Sequence, residues 1–197
     1  MYELMKSGDL IVFSGTDPIG AAITKVTRSQ YTHVGLVLIV KGTPCILEST
    51  IGPVGVDVLA LQEVQGVGIT DLRHRVQAIH DAATGERVWH AARTAALTYE
   101  QECKLMQYAL GIHGIEYDMV QAILSAMDSL DAVIGKGKSD LTKLFCSELV
   151  VACELACTGT VYHDKHDPPI NASRVVPYEV LELHVSGTPI WGPLVEL

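Results

Sequence analysis

Residues Thr32–Val40 read THVGLVLIV, and after Lys41-Gly42-Thr43 the chain continues through Pro44–Ser49 as PCILES. Two apolar runs around a short glycine-containing break predict a β-hairpin. Working outward, GDLIVF (Gly8–Phe13) is a short apolar run opened by a Gly-Asp turn signal, and so a strand. Between them, DPIGAAITKVT (Asp17–Thr27) predicts a helix with an acidic N-cap, proline at its first position and Ile19, Ile23 and Val26 on one face. Val54–Val58 and Gly66–Leu72 are further strand candidates, separated by a short helical piece around Leu59–Val64. The second half is helical. Thr98–Leu110 opens on a capping-box pattern, Tyr117–Leu130 is apolar at Val120, Ile123, Leu124 and Met127, and Phe145–Cys157 is a third helix. Gly135–Lys138 reads as a spacer and Pro177–Leu183 as a short element before an irregular tail. Strands first and helices later predict an α+β fold.

The 197 residues predict one domain, spanning residues 1–197, large enough to bury a core without staples. With 48% hydrophobic residues, 19% charged residues and a mean hydropathy of +0.27, the chain is not a disordered tail. Twenty-three acids against fourteen lysines and arginines give a net charge of −9, and no basic stripe is present, which excludes a dedicated nucleic-acid binder. The longest apolar run, near Val34–Val40, falls far short of the roughly 20 residues a bilayer requires. No membrane anchor is therefore expected. MYELMKSGDL lacks the apolar core of a secretory signal, so the expectation is a cytoplasmic protein with reduced thiols. A phage- or virus-encoded lysin, released through a membrane pore, would need no such signal either.

Few polar groups stand where chemistry is plausible. His33 opens an otherwise apolar strand, and Cys146 opens the helix of KLFCSELVVACELA. A thiol at a helix start meets the positive end of the helix dipole and unsatisfied first-turn amides, both of which favour thiolate. A nearby imidazole can hold that thiolate as an ion pair and move its proton. The bland alternative is a buried structural cysteine and a strand-end histidine. Cys153, Cys157, His163 and His166 form a Cys-x3-Cys-x5-His-x2-His string that could suggest zinc. However, Cys153 and Cys157 lie on the same helical stripe as Cys146, which reads as a packing face, so neither a metal nor any other cofactor is expected. The Tyr117–Ile134 stretch could be a lipid-contacting lid, but acids at 118, 128 and 131 fit an amphipathic core helix better.

Taken in order, GDLIVF, SQYTHVGLVL, ILESTIGPVGVDVLALQEV, GIEYDMVQAI and LFCSELV resemble the circularly permuted branch of the NlpC-type papain-like superfamily. The nearest group is the YiiX-type bacterial proteins, with lecithin:retinol acyltransferase-like enzymes more distant. The resemblance runs from Gly8 to Val150, with an echo at Val175–Leu183, and nothing in Arg73–Ala96 matches. It implies a permuted papain-like core: an antiparallel sheet or half-barrel packed on helices, with the nucleophile at a helix N-terminus. It implies Cys146 as nucleophile, His33 as general base and Glu48 as the group that orients the imidazole. A hairpin turning symmetrically at Gly42-Thr43 would instead pair Glu48 with Val37, four residues past His33 and roughly 13 Å along the strand. A bulge or asymmetric turn must then close the gap, or Asp57 takes the role. The Cys146 amide would be one oxyanion donor. Tyr31 is the candidate for a second, and Tyr117 for lining the pocket; either could equally be a half-buried tyrosine with its hydroxyl in water. Asp9 reads as a turn or cap group.

The function expected from this resemblance is a cysteine-dependent amidase or peptidase acting through a thioester, on peptidoglycan-type peptides or acyl-amino-acid amides. The alternatives are a thiol acyltransferase or lipid deacylase, and a non-catalytic binding module.

Overall fold

The β-hairpin forms with a tighter turn than the sequence suggested. In a computed structural model, described over residues 2–15, 18–117, 145–159, 161–162 and 175–197, strand β2 spans His33–Val40 and β3 spans Thr43–Thr50. Val40 pairs with Thr43 and Leu36 with Leu47, so the connection is the two residues Lys41-Gly42. Both have positive φ, 50° and 83°, the conformation that matches the twist of a two-residue hairpin. The turn sits one residue earlier than expected, and the whole pairing moves by two.

Beside the hairpin lie β1 (Leu10–Ser14), β4 (Gly66–Asp71), β5 (Arg87–Arg93) and β8 (Trp191–Glu196), in the antiparallel order β4-β3-β2-β1-β5-β8. The short strands β6 (His184–Val185) and β7 (Thr188–Pro189) pair separately. Helices are α1 (Pro18–Thr27), α2 (Leu72–Ala82), α3 (Tyr99–Ile112), α4 (Cys146–Thr158) and α5 (Pro177–Val180). Both sheet faces are covered, because apolar residues occupy both parities of β1 and β2. Leu10, Val12, Leu36, Leu38 and Leu47 meet α3 and α4 through Leu105, Ala109, Leu149 and Cys153. Ile11, Phe13, Val37 and Ile46 meet α2 through Leu72, Val76 and Ile79. The Trp191 indole donates to the Gly8 carbonyl at 2.9 Å, tying the last strand to the start of the first. The architecture is α+β, an antiparallel sheet packed against helices.

The sequence did not predict α2 and β5, which fall almost wholly within the unmatched Arg73–Ala96, or β6, β7 and β8, within the supposed tail. Two expected elements do not form. Val54–Val58 contributes only single bridges, Val56 to Glu63 and Asp57 to Thr70. Leu59–Val64 is not helical, because Asp57 Oδ1 accepts from the amides of both Leu59 and Ala60, holding a turn that competes with a helix. Thr98 and Gln101 do form the capping box at the start of α3. The helix expected beyond Tyr117, the spacer Gly135–Lys138, and His163 and His166 lie outside the described residues. Among the described residues no helix is long and apolar enough to cross a membrane.

Candidate active site

His33 stands at the first position of β2, fixed by its neighbours before its own side chain makes any contact. The Thr32 amide donates to the Phe13 carbonyl at 2.9 Å, and the Thr32 hydroxyl accepts from the Gly15 amide, which locks β2 against the end of β1. Phe13 pairs with His33 across the two strands, and the ring centroids lie 5.2 Å apart.

Glu48 reaches the imidazole through the observed register. Continuing the pairing of Leu36 with Leu47 places Glu48 across from Gly35, two residues from His33 rather than four. That is a diagonal neighbour on one face, about 7–8 Å between backbones and within reach of long side chains. Position 35 carries no side chain to intervene. A Cβ there would lie 2.8 Å from Ile46 Cδ1 and 2.9 Å from the Leu47 carbonyl oxygen. His33 Nε2 and Glu48 Oε2 are 2.8 Å apart.

A residue the sequence reading missed completes the Glu48 environment. Arg75, on the first turns of α2, donates from Nε to Glu48 Oε1 at 2.9 Å, and its Nη2 lies 3.5 Å from Oε2. Its guanidinium lies 5.1 Å from the centroid of the Phe13 ring, so one aromatic side chain supports both cations flanking Glu48. The sequence did hold a signal for α2: Asp71 caps it by accepting from the His74 amide, and Leu72, Val76 and Ile79 recur at helical spacing.

Cys146 is the first residue of α4, 3% exposed. Its sulfur stands near enough to the His33 ring to act on the charge of the imidazole. With Nε2 engaged by Glu48, Nδ1 is the nitrogen left for the thiol. The N-cap is Phe145, whose side chain has no oxygen to cap the helix, so the first-turn amides at Cys146 are not consumed in that way.

The electrostatics follow from this chain of contacts. Burial alone would raise the Glu48 pKa, but the Arg75 guanidinium and then His33 outweigh it, taking the carboxyl from 4.5 down to about 2. Burial alone would lower the His33 pKa. The Cys146 sulfur and then Glu48 reverse that, moving the imidazole from 6.5 up to about 9. At neutral pH these contacts favour an imidazolium at His33 beside the Glu48 carboxylate.

The remaining candidates separate clearly. Tyr117 lines, with Phe13, Thr32, His33, Ser49 and Arg75, a cleft of about 330 Å³. Tyr31 does not have a spare amide to offer: its N–H donates to Ser29 Oγ at 3.1 Å, and its ring stands edge-on to Trp89 at 5.3 Å. Asp57 is buried away from His33, accepting from the Ile69 amide at 2.7 Å and lying 2.9 Å from His113 Nε2. Asp9 accepts from the Lys6 and Arg93 amides and lies 2.8 Å from His90 Nε2, the knot of a buried turn. Cys153 and Cys157 are buried on α4, where desolvation pushes Cys157 up to about 12 and Cys153 well upward.

No family model matches this chain, and no curated protein matches it at a significant level. Among solved structures it is similar to one described as the crystal structure of metalloprotein yiiX from Escherichia coli O157:H7, DUF1105, with a TM-score of 0.57 and 17% sequence identity, covering 98% of this chain and 96% of that chain. The similarity speaks to the fold: this chain has a yiiX-like α+β architecture with its antiparallel sheet packed against helices.

Proposed function

We propose that this chain is a cysteine-dependent amidase or peptidase of the circularly permuted, NlpC-type papain-like kind. The observation that carries the reading is His33, bonded to Glu48 through Nε2 and acted on by the Cys146 sulfur at the start of a helix. In this mechanism the Cys146 thiolate attacks the carbonyl carbon of a substrate amide, and the oxyanion is met by first-turn amides of α4. As the C–N bond breaks, His33 delivers its proton to the departing amine, leaving a thioester on Cys146. Water then attacks the thioester carbonyl, His33 takes the water's proton, and the acid leaves as the Cys146 thiolate is restored. Glu48 holds the imidazole in the tautomer and orientation both steps need.

A cleft of about 330 Å³ beside His33, walled by Thr32, Ser49 and Tyr117 as well as apolar groups, suits a short peptide or acyl-amino-acid amide. The yiiX protein is described as a metalloprotein, and a metal is not carried over to this chain. Among the described residues no three His, Cys, Asp or Glu side chains group as ligands, and Glu48 takes up His33 Nε2. The test is incubation with a library of peptide amides and acyl esters, followed by mass spectrometry of the intact protein. An acyl adduct on Cys146 that turns over with release of an amine supports the reading. A library that leaves Cys146 unmodified, together with a thiol that alkylates as a free cysteine does, overturns it in favour of a binding module.

A further inference from the structure

Arg75 brings a guanidinium to this cluster, and its contacts go beyond holding α2 to the sheet. Its Nε binds Glu48 Oε1, the carboxylate oxygen opposite the one that meets His33, while Nη2 lies 3.5 Å from Oε2. Its side chain is 14% exposed and that of Glu48 is 1% exposed, so solvent screens the contact weakly. The Arg75 and His33 cations flank the Glu48 carboxylate. In the ion-pair state of the proposed function, with Cys146 as thiolate, the four charges sum to zero, whereas without Arg75 the same burial would enclose a net negative charge.

We propose that Arg75 is a positioning residue that fixes the charge of the site, sharing Glu48 with His33 so that the imidazole is oriented by the carboxylate without being bound to its proton too tightly to release it. The inference rests on the function proposed above and adds a fourth member to that site. An undivided carboxylate would stabilise the imidazolium more strongly, and proton delivery to the leaving amine would slow. Among the described residues, the charged or titratable groups around Glu48 and His33 are Arg75 from α2, Cys146 from α4, and Glu86 and Tyr117 on the same cleft, while β1 and β4 contribute Phe13 and Gly68, which do not titrate. Burial opposes the charge on Glu48, and Arg75 is the first influence to outweigh it, as the geometry demands.

Removing a fixed positive charge makes every protonation in the cluster more favourable, so both limbs of a pH profile move in one direction. The experiment is the pH dependence of Cys146 alkylation by iodoacetamide, with intact mass as the readout, in wild type, Arg75→Gln and Arg75→Lys. In Arg75→Gln, the acid limb, where thiolate is lost, and the alkaline limb, where His33 deprotonates, should both rise by about one pH unit. Arg75→Lys keeps the charge and should hold both limbs near their wild-type positions. A purely structural role predicts something different: collapse to the single limb of a free thiol in both variants. If Arg75→Gln does not fold, Arg75→Lys decides, since limbs displaced upward there would overturn a role based on charge. A two-limbed wild-type profile on which Arg75→Gln superimposes overturns this inference alone. A wild-type profile with one free-thiol limb removes the proposed function instead.

Discussion

Replacing Glu48 by glutamine keeps the volume and removes the charge, and the contacts around it dictate how the amide must sit. Arg75 Nε–H points at Oε1 from 2.9 Å and has nothing to accept with, so the amide oxygen turns towards it. The amide NH₂ then faces His33 Nε2, 2.8 Å away in the native pair, and donates to it. That forces the imidazole proton onto Nδ1, the nitrogen that should accept from Cys146. The thiol is left facing a donor, which is the wrong tautomer for an ion pair. In serine-protease triads the equivalent change lowers turnover by about four orders of magnitude. We expect Cys146 alkylation near pH 6 to fall towards that of an ordinary thiol, by roughly 100-fold. Stability drops as well. The shift of Glu48 from 4.5 to about 2 corresponds to about 3 kcal/mol of preference for the charged form in the fold. Because the folded pKa is depressed, that stabilisation is present above the ordinary carboxylate range and is lost as pH falls towards 2. The variant lacks it at neutral pH and carries an unpaired buried guanidinium, so chemical denaturation should show a loss of about 3–5 kcal/mol. Adding Arg75→Gln should return part of that loss. Wild-type alkylation kinetics in a folded Glu48→Gln protein would refute the orienting role.

Other expectations are more local. Cys146→Ala should abolish acyl-adduct formation while leaving the melting temperature near wild type, whereas alanine at Cys45, Cys103, Cys153 or Cys157 should leave the adduct intact; an adduct persisting without Cys146 would move the nucleophile elsewhere. Asp57→Asn should leave the Cys146 alkylation profile unchanged but cost about 1–3 kcal/mol, because the amide cannot accept from the Leu59, Ala60 and Ile69 amides and His113 together. Burial works against the Asp57 charge, yet those amides and His113 hold its pKa below the ordinary value, so the deficit measured near pH 7 should shrink as pH falls through the carboxylate range. A deficit independent of pH would contradict that account. Gly35→Ala should destabilise the protein by about 1–3 kcal/mol, through a Cβ set 2.9 Å from the Leu47 carbonyl oxygen, and should disturb the Glu48–His33 contact as well. Unaltered stability on urea denaturation would show that β2 and β3 can separate there.

Two parts of the cluster are local signals: a histidine opening an apolar strand and a cysteine opening a helix each stand out against their neighbours, whereas Glu48 entered only through the family resemblance. The turn was misplaced by one residue because Lys41 adopts positive φ, which residue type does not advertise, and that error alone made Glu48 look too distant. Strand β5 was invisible for a different reason. It lies inside the sheet, between β1 and β8, so RVWHAAR shows no clean alternation. Strand β8 contains Gly192 and Pro193, which argue against a strand until its place at the sheet edge is known. Arg75 was illegible in principle. Its meaning depends on α2 lying over β3, a contact between distant positions that composition and spacing do not encode.

The hairpin of β2 and β3 also sets the order in which the site can come into being. His33 and Glu48 are 15 residues apart and joined by a two-residue turn, so their contact closes on the microsecond timescale of a hairpin. Cys146 arrives from more than a hundred residues further along the chain, and its place beside the imidazole exists only once α4 has packed across β2 and β3. Contacts of such long sequence separation are the slow ones in folding. A partly folded chain therefore carries a complete imidazole–carboxylate pair and a thiol that is not yet a nucleophile. The appearance of an alkylation-prone Cys146 during refolding would mark the docking of α4, making the nucleophile its own clock for the last step of folding.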